Sequence, residues 1–212
     1  IDDQNILSSN TQLKNLTPML DFNQINLLSN QKLQKNNGDI QLDFSSIVKG
    51  YAVDKVTELI TNSWVFGTYV DIGGEIRTTG SKPNKIPWRI GIQAPNNIGD
   101  LAAVIQANNI SIATSGNYLN FVESNNKKIG HILDPQSMQP VKHGMLSLSI
   151  VATTCKEADA LATGLFVMGP NLAKKWLKQH TEYPAMMIYE KNSKIQVTYL
   201  NNFQDLLINI EK

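Results

Sequence analysis

Cysteine is almost absent from this 212-residue chain, where Cys155 stands alone. A single thiol forms no internal bridge, which excludes a disulfide framework without fixing the compartment. No run of about eighteen apolar residues occurs, so no membrane-spanning helix is expected. Dense Lys/Arg runs are missing as well. Nineteen basic residues stand against 18 acidic ones, for a net charge of +1, which removes the usual electrostatic ground for nucleic-acid binding. A small anionic ligand needs only a local positive site. The first residues lack the basic and apolar regions of a signal peptide, so an exported protein would carry this sequence with its leader removed. The length suits a substantial core, and neither an internal repeat nor a linker divides the chain.

What is present is strand-rich. The first forty residues are dominated by Asn, Gln, Leu and Ser, with a turn expected at Asn36-Asn37-Gly38-Asp39. Val48, Tyr51, Ala52, Val56, Leu59 and Ile60 recur at helical spacing and predict an amphipathic helix over Ser46–Asn62, capped by Asp43, Ser45 or Ser46. Strands are expected at Tyr69–Ile72 and Glu75–Thr79 around Gly73-Gly74, then at Trp88–Gln93, Leu101–Gln106 and Ile110–Ala113. Asn117–Val122 is ambiguous, Lys128–Leu133 reads as extended, and Asp134-Pro135 begins a turn. Met145–Thr153 is a strong strand. Thr154-Cys155-Lys156-Glu157 has the form of a capping box, followed by Ala158, Leu161, Ala162, Leu165 and Phe166 at helical spacing. Asn171–Gln179 reads as a further helix, and Ala185–Tyr189 with Ile195–Leu200 as a closing strand pair.

Three constellations carry chemistry. Asp159 and Thr163 are four residues apart, so a carboxylate and a hydroxyl share one helical face beside Ala162. That oxygen pair suits a hard cation such as Mg²⁺, which keeps water or substrate phosphate in its remaining positions. The plainer reading is an ordinary helix start, with Asp159 favouring the dipole and Thr163 bonding to the backbone. Lys49, near the start of the first helix, can meet a phosphate, and Ala52 and Val53 would anchor that helix in the core; a solvated lysine is the alternative. In Gly130-His131-Ile132-Leu133-Asp134-Pro135, an imidazole precedes a carboxylate by three residues, and His131 can accept a hydroxyl proton near neutral pH or play a structural role.

Taken in order, Leu42–Asp54, Tyr69–Gly80, Trp88–Pro95, Ala113–Tyr118, His131–Pro140 and Glu157–Gly169 resemble the ApbE family, the FAD:protein FMN transferases. The resemblance runs from about residue 42 onward; the family's usual N-terminal portion is not matched. It implies an α+β fold related to the tunnelling-fold group, with antiparallel sheets and packed helices, and one ApbE-like region over 1–212. It implies Mg²⁺ held by Asp159, Thr163 and the carbonyls of Ala162 and Val48, with Asp159 and His131 as catalytic residues. It also implies FAD contacts from Lys49, Gly74, Ser115, Gly116, Asn117 and Tyr118. The expected reaction moves FMN from FAD to a Thr or Ser of an acceptor flavoprotein and releases AMP. FAD hydrolysis to FMN and AMP, or flavin or partner binding without catalysis, are the alternatives. An extracytoplasmic, periplasmic or membrane-anchored setting, through a lipid anchor outside this chain, comes with the resemblance. Ser45, Ser46 and Val48 depart from the family's small residues and are expected to reshape the flavin pocket, and Glu75 and Asn117 stand where Asp or Asn recurs.

Overall fold

The computed structural model describes residues 19–29, 31–61, 65–95, 97, 99–117 and 132–208, together with the backbone of two strands within 121–130. In chain order the elements are β1 (Ile25–Leu27), β2 (Leu33–Lys35), α1 (Val48–Thr61), β3 (Gly67–Ile72), β4 (Glu75–Gly80), β5 (Arg89–Gln93), β6 (Leu101–Gln106) and β7 (Ser111–Gly116). There follow β8 (Phe121–Ser124), β9 (Lys127–Gly130), β10 (Leu133–Asp134), β11 (Gln139–Pro140), β12 (Met145–Ala152), α2 (Cys155–Gln179), β13 (Ala185–Lys191) and β14 (Lys194–Leu200). This is the α+β architecture expected from the sequence.

Six strands form one antiparallel sheet in the order β14-β13-β12-β7-β4-β3. Period-two alternation along β12 sends Leu148, Ile150 and Ala152 to one face, where they meet Ala158, Leu165, Phe166 and Leu177 of α2. Val151 points the other way, into a second core with Ile76 and Ile112 that the β5–β6 hairpin covers through Ile90, Ile92, Ala103 and Ile105. The helices and the hairpin thus sandwich the sheet. Full burial of Phe166, Leu148 or Leu177 contributes about 1.5–3 kcal/mol each relative to exposure.

Two tight turns follow from local chemistry. Gly73 and Gly74 both have positive φ, 65° and 97°, in the two-residue loop between Ile72 and Glu75; residues without a Cβ accept that geometry freely. Asn192 and Ser193, with φ of 52° and 56°, close β13 onto β14 in the same way.

The sequence reading needs correction at both helices. Helix α1 forms where expected, but its buried residues are Gly50, Val53, Asp54 and Thr57, whereas Tyr51, Val56, Leu59 and Ile60 are exposed. Close contact with α2 selects that face: a Cβ added at Gly50 would lie 2.3 Å from the Cys155 carbonyl oxygen. At the start of α2, Thr154 makes no side-chain cap and Glu157 Oε1 instead accepts a hydrogen bond from the Tyr183 hydroxyl at 2.7 Å, so the expected capping box does not form. Further along, Gly169 (φ 78°, ψ 170°) and Pro170 interrupt α2, and the expected helix over Asn171–Gln179 is its continuation. Pro170 has no N–H for the Phe166 carbonyl four residues back. His143 Nε2 lies 2.7 Å from that oxygen, while its Nδ1 accepts from the Met145 N–H at 3.3 Å, which fixes the Nε2–H tautomer.

Candidate active site

The amino ends of α1 and α2 meet and exchange aspartates. From α1, Asp54 Oδ1 accepts the Cys155 N–H at 2.9 Å and Oδ2 accepts the Lys156 N–H at 3.0 Å. These are two of the unpaired donors that every helix start presents. Arg77 Nη1 from β4 completes the arrangement, 2.6 Å from Asp54 Oδ1. From α2, Asp159 Oδ2 returns the favour by accepting the Gly50 N–H at 2.9 Å. Asp159 has no ion pair at salt-bridge distance among the described residues. Burial raises its pKa above the ordinary aspartate value, opposed by the Gly50 N–H and by Lys49.

Beside Asp159 a cavity of about 540 Å³ opens between the helices and the ends of β4 and β7. Its wall carries Lys49 from α1, Asp159 and Thr163 from one face of α2, Glu75 from β4, and Ser115 and Gly116 from β7. Thr163 Oγ1 and Ser115 Oγ are 2.9 Å apart, so the helix and the sheet present hydroxyls together. Lys49 Nζ lies 2.7 Å from Glu75 Oε1. The Glu75 pKa is raised, first by burial and further by Asp159, with Lys49 opposing. The Lys49 ammonium, the buried Asp159 and Glu75 carboxyls and the paired Thr163 and Ser115 hydroxyls suit a ligand that is anionic at its centre and accompanied by a hard cation. Cys155 has no nucleophilic part, because burial pushes its thiol far above the usual range.

The model of the ApbE family matches residues 2–187. The chain belongs to the ApbE family. The FAD:protein FMN transferase of Escherichia coli K12 is 35% identical over 170 residues, 80% of this chain and 48% of that protein. The crystal structure of the Pseudomonas stutzeri flavinyl transferase ApbE in its apo form superimposes with a TM-score of 0.82 at 28% identity, over 94% of this chain and 61% of that one. The flavin transferase ApbE from Vibrio cholerae gives 0.84 at 27% identity, over 96% and 64%. The chain therefore spans about half the length of the curated relative it matches. The ApbE match also begins at residue 2, ahead of the resemblance that the motifs carried from residue 42.

Among the residues expected from the ApbE resemblance, Lys49, Asp159, Thr163, Ser115 and Gly116 meet at the one cavity. Ser45 and Ser46 line it too. Gly74 lies instead on a separate cavity of about 350 Å³ with Tyr69, Asp71 and Ile92, and its N–H donates to Asp71 Oδ1; its neighbour Gly73 reaches both cavities. Val48 is half exposed at the first turn of α1, and Ala162 is fully buried in the core under α2. Asn117 has a buried Oδ1 without a hydrogen-bond partner among the described residues. His131 and Tyr118 lie outside the described residues. Asp134, expected near His131, spends both oxygens on its own turn, accepting from the Gln136 N–H and the Ser137 hydroxyl.

Two acidic residues of the cavity are not singled out by the sequence as ligand contacts. In sequence Asp43 reads as a helix cap; in the structure it lines the cavity, and its Oδ1 accepts the Ser45 N–H at 2.7 Å. Glu75 stands out in sequence only as a departure from the family pattern. Its place directly after a Gly-Gly turn was the available signal, since a two-residue turn fixes which face the next side chain takes.

Proposed function

We propose that this chain forms the FAD- and Mg²⁺-binding part of an enzyme that moves FMN from FAD to a Thr or Ser hydroxyl of an acceptor flavoprotein, releasing AMP. The observation that carries the reading is the meeting of Asp159 and Thr163, on one face of α2, with Lys49 at the start of α1 in a single cavity. Family membership supports the same reading, through relatives named FAD:protein FMN transferase.

The donor set fits a magnesium ion. No group of three or more His, Cys, Asp or Glu side chains gathers among the described residues, so a cation here draws on mixed oxygen donors, as Mg²⁺ accepts when substrate phosphates and water complete its shell. Asp159 and Thr163 would hold it, with the carbonyls of Ala162 and Val48. When bound, the ion supplies neutralisation of charge on the diphosphate. Lys49, from the first turn of α1, binds the same anionic region. The acceptor hydroxyl oxygen bonds to the FMN phosphorus as the bond from that phosphorus to the AMP oxygen breaks. The hydroxyl proton passes to His131, the neighbour in sequence of the cavity-lining Ile132. The same reading places the reaction outside the cytoplasm, in a periplasmic or membrane-anchored protein.

Incubation with FAD and Mg²⁺, with and without an acceptor peptide bearing Thr or Ser, tests this. AMP release that requires the peptide, with flavin becoming attached to it, is the expected result. AMP release without peptide would show a hydrolase instead, and flavin retention without AMP release in either case would show a binding protein.

A further inference from the structure

Glu75 has no role in the chemistry above, yet its surroundings single it out. It is 2% exposed at the start of β4, immediately after the Gly73-Gly74 turn. Its Oε1 is committed to Lys49 at 2.7 Å, whereas its Oε2 is buried and has no hydrogen-bond partner among the described residues. Buried acceptors are nearly always paired, so an orphan inside a cavity wall calls for a donor from elsewhere. On that side a Cβ added at Gly73 would be in van der Waals contact, 3.8 Å from both Glu75 Oε2 and Lys49 Cδ, and glycine leaves that space unfilled.

The chemistry of the orphan restricts what can fill it. Phosphate oxygens only accept hydrogen bonds and repel a carboxylate, so a diphosphate suits Lys49 and not Oε2. A flavin dinucleotide carries donors on either side of its diphosphate: sugar hydroxyls, the isoalloxazine imide N–H and the adenine amine. A site that buries an acceptor for a ligand donor rejects analogues lacking that donor, because the acceptor is then left unpaired. Building on the FAD reading above, we propose that Glu75 determines specificity at this site. Oε1 holds Lys49 toward the anionic centre of the ligand, and Oε2 receives a hydrogen bond from an O–H or N–H donor of the dinucleotide.

The test is equilibrium binding to the 212-residue chain, followed by flavin fluorescence, with FAD and a panel of analogues. Each analogue removes one donor: the imide N–H, the adenine amine, or one hydroxyl of the ribityl chain or ribose. One analogue is expected to bind the wild type about tenfold or more weakly than FAD, and its identity distinguishes a sugar from a ring donor. Glu75→Gln, which puts an amide N–H₂ donor in place of one carboxylate oxygen, is expected to weaken FAD by a similar factor and to be indifferent to the loss of that same donor. Equal affinity of the wild type for every member of the panel overturns the proposal, and this arm needs no variant to fold. A Glu75→Gln chain that weakens all ligands by one common factor also overturns it, leaving Glu75 to act only through Lys49. Absence of FAD binding by the wild type, with and without Mg²⁺, overturns the FAD reading itself and this assignment with it.

Discussion

Asp54 and Asp159 each reach from one helix to accept backbone N–H groups at the start of the other, yet one is saturated and the other is not. Asp54 takes two N–H groups and the Arg77 guanidinium. Among the described residues Asp159 takes only the Gly50 N–H, and it faces a cavity. The two carboxylates are about equally buried. Burial therefore does not separate these two acids; the completeness of their partners does. A carboxylate whose oxygens are spoken for holds the helices together, and one with spare capacity in a cavity remains available to a ligand.

Substitution sharpens this contrast, beginning with its heaviest consequence. Asp54→Ala leaves Arg77 without its partner and two helix-start N–H groups uncapped, and should lower unfolding free energy by about 3–5 kcal/mol in urea titrations. Gly50→Ala attacks the same crossing by bringing a Cβ to 2.3 Å from the Cys155 carbonyl oxygen, and should cost about 3 kcal/mol by the same assay. Away from the crossing, Tyr183→Phe removes the hydroxyl that occupies Glu157 and should cost about 1 kcal/mol, visible as a small fall in Tm. Asp159→Asn is the informative small effect: without metal or ligand, stability should change by less than about 1 kcal/mol, because the amide oxygen still accepts the Gly50 N–H. A loss there as large as that at Asp54 would break the comparison.

The pH dependence gives the sign of the same argument. Burial raises the Asp159 pKa, so the folded chain holds that proton more tightly than the unfolded chain. The resulting penalty on folding is absent below the unfolded-state pKa and grows as pH rises through the raised folded value. Asparagine carries no such penalty. In a chelator-containing buffer, the Tm of Asp159→Asn relative to wild type should therefore rise between acidic and neutral pH; a constant difference would contradict the assignment.

Much of the fold was legible because apolar periodicity is local. The alternation in Met145–Ala152 and the glycine pair after Ile72 announced their elements without tertiary help. What escaped was set by distant partners. Thr154 and Glu157 have the spacing of a capping box, but the cap comes from Asp54, about a hundred residues earlier, and no local pattern points to it. Likewise the apolar stripe of α1 misled, because a glycine and an aspartate suit the close approach of α2 better than bulky side chains do. At the site, Asp159, Thr163 and Lys49 were found through residue chemistry and family resemblance. Glu75 was not, since its pairing with Lys49 joins a strand to a helix across 26 positions of sequence.

The most direct measurement is FAD affinity with and without Mg²⁺ for the wild-type chain and for Asp159→Ala in parallel. Loss of even an outer partner of a metal site costs 10–100-fold in affinity, so loss of an anionic ligand should cost about tenfold or more. The account predicts that Mg²⁺ tightens FAD binding to the wild type and leaves Asp159→Ala unaffected while that variant stays folded. An equal response to Mg²⁺ in both chains would contradict it.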